Sequence, residues 1–197
     1  MVTAKKADMG IGTLILFIAF ILIAAVAAGV LISTTSQLQA KALTTGKATT
    51  SEVGTSMSSV ELYSEDASSD RQVDYFYWTV KLSSGSEPVK FTDLLLTMNT
   101  NNVSRQYTVN TSVGCSATAE LDLYTTKFGI NYSLQASNSI SGYMISGDVV
   151  QLCFKSPRAI GENEDIKFNL IPKVGSSLSL DTTMPALMLD TRIYVFP

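Results

Sequence analysis

The chain of 197 residues carries 14 Lys and Arg against 17 Asp and Glu, a net charge of −3, with two cysteines and no histidine. Without histidine the commonest general base and metal ligand is missing, so Ser/His/Asp and Cys/His catalytic arrangements cannot be built in their usual form, and two cysteines are too few for a zinc site. The mildly acidic balance argues against a nucleic-acid partner, which calls for clustered Lys and Arg.

Motifs for phosphate, dinucleotide or acyl chemistry are also missing. Gly46-Lys47 is followed by Ala48 and lacks the upstream glycine of a P-loop, and there is no Gly-x-Ser-x-Gly elbow or Gly-x-Gly-x-x-Gly turn. An enzyme is not expected.

The first element in the chain is apolar. Lys5 and Lys6 form a short basic head, Gly10 follows, and residues 11–32 hold no charge. A secretory signal has an apolar run of about 7–15 residues with a small-residue cleavage site behind it. Here the run spans 22 residues, which at about 1.5 Å per residue makes a helix of roughly 33 Å, enough to cross a bilayer. Nothing after Ile32 reads as a cleavage site, and the one small-residue break, Gly10, lies before the run. Processing would therefore remove the head, residues 1–10, and leave the apolar segment in place. The Lys5-Lys6 pair marks the cytoplasmic flank and sends the carboxyl side outward.

That segment is apolar on every face, so it needs lipid or other apolar helices around it. Small residues recur at four-residue spacing, Ala24 with Ala28 and Ala25 with Gly29, which lets helix backbones approach closely. An ordinary single-span anchor tolerates the same residues. Beyond Ile32 the pattern turns amphipathic: Leu38, Ala42 and Leu43 share a face, with Gln37, Lys41 and Lys47 elsewhere. The spacing predicts helix to about Lys47 or Ala48, weakened at Gly46 and Gly54, and a Ser/Thr-rich exit over residues 44–59.

From Gln72 the period becomes two. Phe76, Trp78, Val80 and Leu82 fall on one face and Tyr75, Tyr77, Thr79 and Lys81 on the other. Residues 83–88 read as a turn, and further strands are expected at 89–97, 106–110, 119–124, 130–135, 149–155, 165–171 and 191–196. Short strands broken by Gly, Pro, Ser and Asn point to an all-β sandwich. Cys115 and Cys153 would bridge in an oxidising exterior, closing a loop worth roughly 4 kcal/mol; alternatively Cys153, in a strand-like context, is simply a small buried apolar residue.

The string Lys5-Lys6, Gly10, Ile11-Gly12-Thr13-Leu14-Ile15-Leu16-Phe17-Ile18-Ala19 resembles the start of archaeal flagellins (archaellins). So does its continuation, Ala24-Ala25-Val26-Ala27-Ala28-Gly29-Val30-Leu31-Ile32 and Gln37-Leu38-Gln39-Ala40-Lys41-Ala42. The resemblance is strong over residues 5–48 and diffuse beyond. Bacterial type IV pilins usually carry Phe first and Glu fifth after their cut, where this chain has Ile11 and Ile15.

The resemblance implies an α+β protein: a cleaved leader at 1–10, a polymerisation helix and linker at 11–60, and an immunoglobulin-like β-sandwich at 61–197. A prepilin-type leader peptidase would recognise Lys5, Lys6, Gly10 and Ile11 and cut between the last two, although Asp8 and Met9 depart from the small residues common there. The filament-core helix would present Ile11, Gly12, Leu14, Ile15, Phe17, Ile18, Phe20, Ile21, Leu22, Ala24, Ala25, Ala28, Gly29 and Leu31. The precursor would wait in the cytoplasmic membrane. It would then join copies of itself, or other archaellins, on a membrane assembly and motor platform, giving an extracellular swimming filament.

Archaellins are commonly N-glycosylated, and the sequons at Asn102, Asn110 and Asn131 are candidates, Asn102 favoured for its turn-like surroundings over the strand-like Asn131. No cofactor is expected. A structural cation such as Ca²⁺ on the acidic loop 161–165 is the one candidate, and that loop lacks the EF-hand spacing. Two other readings compete: an adhesion pilin of the same class, disfavoured by the missing Glu at the fifth mature position, and a membrane-anchored β-domain binding protein, which would keep an uncut amino terminus.

Overall fold

The computed structural model describes residues 3–65, 71–111, 114, 115 and 125–196, with side chains from Gly10 onward. The chain divides into two compact units, Met1–Thr49 and Thr50–Pro197.

One helix, α1 (Thr3–Gly54), runs for 52 residues, about 78 Å at the standard rise. It begins ahead of the expected start at Ile11 and passes through Gly46 without a break. The Ser/Thr-rich stretch stays helical because its hydroxyls bond within the helix: Thr44 Oγ1 donates to the carbonyl of Ala40 at 3.0 Å, and Thr49 Oγ1 to that of Thr45 at 2.9 Å. Such side chains satisfy themselves on the helix's own carbonyls instead of pulling the backbone out of it.

The second unit is built from strands β1 (Met57–Glu65), β2 (Val73–Leu82), β3 (Val89–Lys90), β4 (Leu94–Thr100), β5 (Ser104–Val109), β6 (Lys127–Leu134), β7 (Tyr143–Met144), β8 (Val149–Ile160), β9 (Asp165–Pro172), β10 (Leu178–Thr183) and β11 (Arg192–Phe196). The expected strand at 89–97 is interrupted by a 3₁₀ turn, Phe91–Asp93. The strand expected at 119–124 lies outside the described residues. Strands β1, β7 and β10 escape the sequence reading, β1 because Ser58, Ser59 and Ser64 dilute its alternation and β7 because it is two residues long. Strand β1 also begins at Met57, inside the stretch assigned from sequence to helix and linker.

Nine strands hydrogen-bond in the order β10-β9-β4-β5-β6-β8-β2-β1-β11, with β3 and β7 pairing separately. The only parallel step among them is short: β5 meets β6 through Thr108↔Lys127 and Val109↔Phe128. The two halves of the sheet that this step joins share one core. Phe168 of β9 packs its ring 5.5 Å from Phe76 and 5.9 Å from Trp78 of β2, and 5.9 Å from Phe154 of β8. Sheet-on-sheet packing of this kind makes a β-sandwich, as expected for an immunoglobulin-like domain. Trp78, the chain's single tryptophan, is fully buried and donates from Nε1 to Ser59 Oγ at 2.8 Å, so its polar atom is satisfied.

The outer face of β2 differs from the expectation of a solvated side. Tyr75, Tyr77 and Thr79 are buried along with Phe76, Trp78 and Val80. Tyr75 and Tyr77 cluster with Tyr63 and Cys153, and Cys115 packs against them; Tyr63 and Tyr77 stack at 4.9 Å. Cys115 and Cys153 are disulfide-bonded with Cα atoms 5.5 Å apart, pinning the segment after β5 to β8. Their 38-residue separation corresponds to about 4 kcal/mol of stabilisation in the chain-entropy model. Reduction is therefore expected to lower the urea midpoint of the Trp78 fluorescence transition; an unmoved midpoint would contradict the assignment.

Burial holds the phenols of Tyr63, Tyr77, Tyr107 and Tyr132 neutral beyond their ordinary value of 10.0. Above that pH the unfolded chain releases protons that the native state keeps. The unfolded state then binds fewer protons, and stability falls as pH rises from about 10 upward. Thermal unfolding followed from pH 8 to 12 is expected to be flat at first and to drop steeply above 10; a flat profile throughout would refute the burial argument.

Asp148, fully buried, is the clasp of the loop between β6 and β8. Its Oδ1 accepts from Ala136 N at 2.8 Å, and its Oδ2 from Ser139 Oγ and Ile145 N, each at 3.2 Å. Asp148→Ala leaves the buried Ile145 N–H and two half-buried donors without their partner and is expected to cost about 3 kcal/mol. The urea midpoint should shift with the slope unchanged.

Candidate functional site

The described side chains of the first unit form an uncovered apolar surface. Along α1 no charged residue stands between Asp8 and Lys41, and the described side chains project outward uncovered. Ile11, Leu14, Ile15, Phe17, Ile18, Phe20, Ile21, Leu22 and Leu31 are each between 49% and 68% exposed. Gly12, Ala24, Ala25, Ala28 and Gly29 are exposed as well, and added Cβ atoms at Gly12 and Gly29 would meet nothing within 4 Å.

Leu16, Ile23, Val26, Val30 and Ile32 are just as bare. They belong to the same surface although the small-residue spacing does not single them out; the signal that finds them is the lack of any polar face. A helix apolar all round is one that lies in lipid or in the core of an assembly. The segment from Gly10 is long and apolar enough to cross a membrane.

Two hydroxyls of this stretch are satisfied by the helix itself. Thr13 Oγ1 donates to the Gly10 carbonyl at 2.9 Å, and Thr34 Oγ1 to that of Leu31 at 3.0 Å. No proline interrupts the ladder. No polar side chain stands between Thr13 and Ser33, so this part of the helix can be dehydrated without stranding a side-chain donor, a condition for a dry interior. Lys5, Lys6, Gly10 and Ile11, the leader-processing candidates, all fall within this continuous helix.

The candidates in the second unit are dispersed. Asn102 sits in an exposed bend between β4 and β5, Asn131 is exposed on β6, and Asn110 is half-buried after β5. The acidic loop 161–165 sends its carboxylates in different directions. Glu164 pairs with Arg158, Glu162 Oε1 accepts from Met188 N at 3.3 Å, and Asp165 Oδ1 accepts from Thr183 Oγ1 at 2.6 Å. Among the described residues no three His, Cys, Asp or Glu side chains gather as a metal-ligand group.

Known proteins share this arrangement. The family model "Archaeal-type flagellin" matches residues 7–182. Flagellin B2 of Methanocaldococcus jannaschii is 30% identical, the match covering 95% of this chain and 93% of that protein. Flagellin B1 of Halobacterium salinarum is 32% identical over 75% of this chain and 81% of its own. Among solved structures, the archaeal flagellum of Methanospirillum hungatei aligns with a TM-score of 0.68 at 14% identity, covering 95% of this chain and 99% of that one. The crystal structure of archaeal flagellin FlaB1 from Methanocaldococcus jannaschii aligns with a TM-score of 0.64 at 16% identity, over 72% and 96%. These two likenesses establish the fold, the first over nearly the whole chain. With the family model matching most of its length, this chain belongs to the archaeal-type flagellin family.

Proposed function

We infer that the chain is the structural subunit of the archaeal swimming filament and that it polymerises through α1, without catalysing a reaction. The observation that carries this reading is the charge-free surface from Gly10 to Ala40, exposed on all faces. Burying one such helix against its copies removes well over ~1,000 Å² of apolar surface, on the order of 25 kcal/mol. Association and ordering entropy take back a large part, and the balance still favours assembly. Exchange between membrane and filament costs little, because lipid tails and apolar side chains are alike as surroundings.

In this reading a prepilin-type peptidase removes residues 1–10 from a precursor held in the cytoplasmic membrane. A membrane platform then assembles and turns the extracellular filament, and exposed sequons, Asn102 first, carry glycans. Sequencing the amino terminus of sheared extracellular filaments tests it. Chains starting at Ile11 support processing and export together; chains starting at Met1, or retained in the membrane fraction, support an anchored binding protein instead. Thin pili lost on deletion, with swimming retained, would favour the adhesion-pilin reading.

A further inference from the structure

The β4–β5 turn and the β9–β10 hairpin meet in a groove, and strand register places the groups that line it. Lys167 of β9 pairs with Asp181 of β10 on one side and with Asn99 of β4 on the other, and Asp165 pairs with Thr183. Side chains alternate along a strand, so Asp165 and Lys167 share the exposed face of β9 while Ile166 and Phe168 are buried in the core. Together with Asn101 from the turn, these polar side chains line one groove of about 430 Å³, an ordinary size for a small-ligand cleft.

Its hydrogen-bonding capacity is only partly used. Asp165 Oδ1 accepts from Thr183 Oγ1, and Asp181 Oδ2 accepts from Lys167 Nζ at 3.0 Å. Among the described residues, the second oxygen of each carboxylate is left to accept from a ligand. The Asn101 amide adds two donors and an acceptor. Closely spaced donors and acceptors suit a ligand dense in hydroxyl groups, each of which both donates and accepts. A metal ion is disfavoured, because the Lys167 ammonium already sits on one of the two carboxylates. An anionic ligand is disfavoured as well: the charged groups of the lining are Asp165, Asp181 and Lys167, two negative against one positive.

A source of hydroxyls adjoins the groove. The sequon Asn102-Val103-Ser104 begins one residue after Asn101. The turn that carries it is closed by hydrogen bonds from Thr100 N to the Val103 carbonyl at 2.8 Å and from Val103 N to Thr100 Oγ1 at 3.2 Å, and Asn102 is exposed on it. An open groove holds a free sugar weakly. A sugar joined to Asn102 differs, because a short tether gives it an effective concentration in the millimolar range.

We propose that the first sugars of a glycan on Asn102, neutral ones, lie in this groove on Asn101, Asp165 and Asp181 and brace the β4–β5 turn to the β9–β10 hairpin. The proposal rests on the reading that Asn102 is glycosylated. Strand β10 ends the sheet with β9 as its one ladder partner, so it is the strand with most to gain from such a brace against local opening.

Amide hydrogen exchange on sheared filaments tests it, comparing the unmodified chain with Asn102→Gln, alone and combined with Asp165→Ala. Intact mass reports whether Asn102 carries sugar. In the unmodified chain Asn102 is expected to be occupied, and its loss in Asn102→Gln to speed exchange over residues 178–183 roughly three-fold or more. That is the factor by which a ligand at a few times its Kd suppresses opening. Exchange over residues 149–160 in β8 should not change. In the Asp165→Ala background, removing the sugar should have little further effect, since the two changes act on one contact. An occupied Asn102 whose removal leaves exchange over 178–183 unmoved would overturn the docking and leave the glycan reading intact. An effect of equal size with and without Asp165, or one that extends to β8, would overturn the groove as the place where the sugar lies. A bare Asn102 in the unmodified chain would overturn both readings.

Discussion

Val26→Asp is expected to abolish filaments while leaving the precursor in the membrane. Val26 lies mid-way along the charge-free stretch and is 69% exposed in the isolated chain, so its own fold gives aspartate no steric objection. The cost arises on assembly. A carboxylate at the centre of a membrane helix is disfavoured by about 3 kcal/mol on insertion scales, which the remaining apolar residues outweigh. In a filament every subunit would bring the same charge into a dry interior against like charges, and an unpaired buried ion costs several kcal/mol per copy. Val26→Leu is expected to assemble normally. Extracellular filaments counted by electron microscopy, with membrane precursor followed by immunoblot, provide the readout. Normal filaments from Val26→Asp would show that this part of α1 does not sit in a water-free core.

The largest expected effect on the outer unit comes from Phe168→Ala. Phe168 is fully buried and is in ring contact with Phe76, Trp78 and Phe154 across the sandwich. Its removal opens a cavity where both halves of the sheet meet and is expected to cost about 4 kcal/mol. For a domain stable by about 5–15 kcal/mol in all, that is a large fraction. Trp78 fluorescence during urea unfolding should show a markedly lower midpoint, whereas a shift below about 1 kcal/mol would mean the core collapses around the gap. Filaments of this variant are expected to form at lower temperature and to lose their outer domains' order on warming before α1 dissociates.

The sequence carries the helix and its role more clearly than it carries the sandwich. An uncharged run after Lys5, Lys6 and Gly10 leaves few physical options, because nothing along it can face water comfortably. The end of α1 was harder to read. Ser and Thr around residues 44–59 look like a chain leaving a helix, yet hydroxyls such as those of Thr44 and Thr49 bond back onto carbonyls one turn earlier, and the helix continues to Gly54.

In the outer unit, alternation at 76–82 identified the core face of β2 but misjudged its reverse. Tyr75 and Tyr77 are buried by Tyr63 and the Cys115–Cys153 pair, which come from elsewhere in the chain and leave no local mark. Pairings such as the parallel β5–β6 step are likewise invisible to periodicity, since they depend on which strands meet. The filament-core residues that the resemblance implies omit Val26 and Ile23, whose exposure is no different.

One measurement bears most directly on α1 as the element that holds the filament together. Val26→Cys introduces a small, apolar thiol on the helix in a chain whose native cysteines are bonded to each other. Intact filaments are treated with a water-soluble maleimide before and after dissociation in detergent. Labelling absent in the filament and complete after dissociation is the result expected of a helix buried among its copies. Equal labelling in both states would contradict that burial and move the cohesion of the filament to the outer domains.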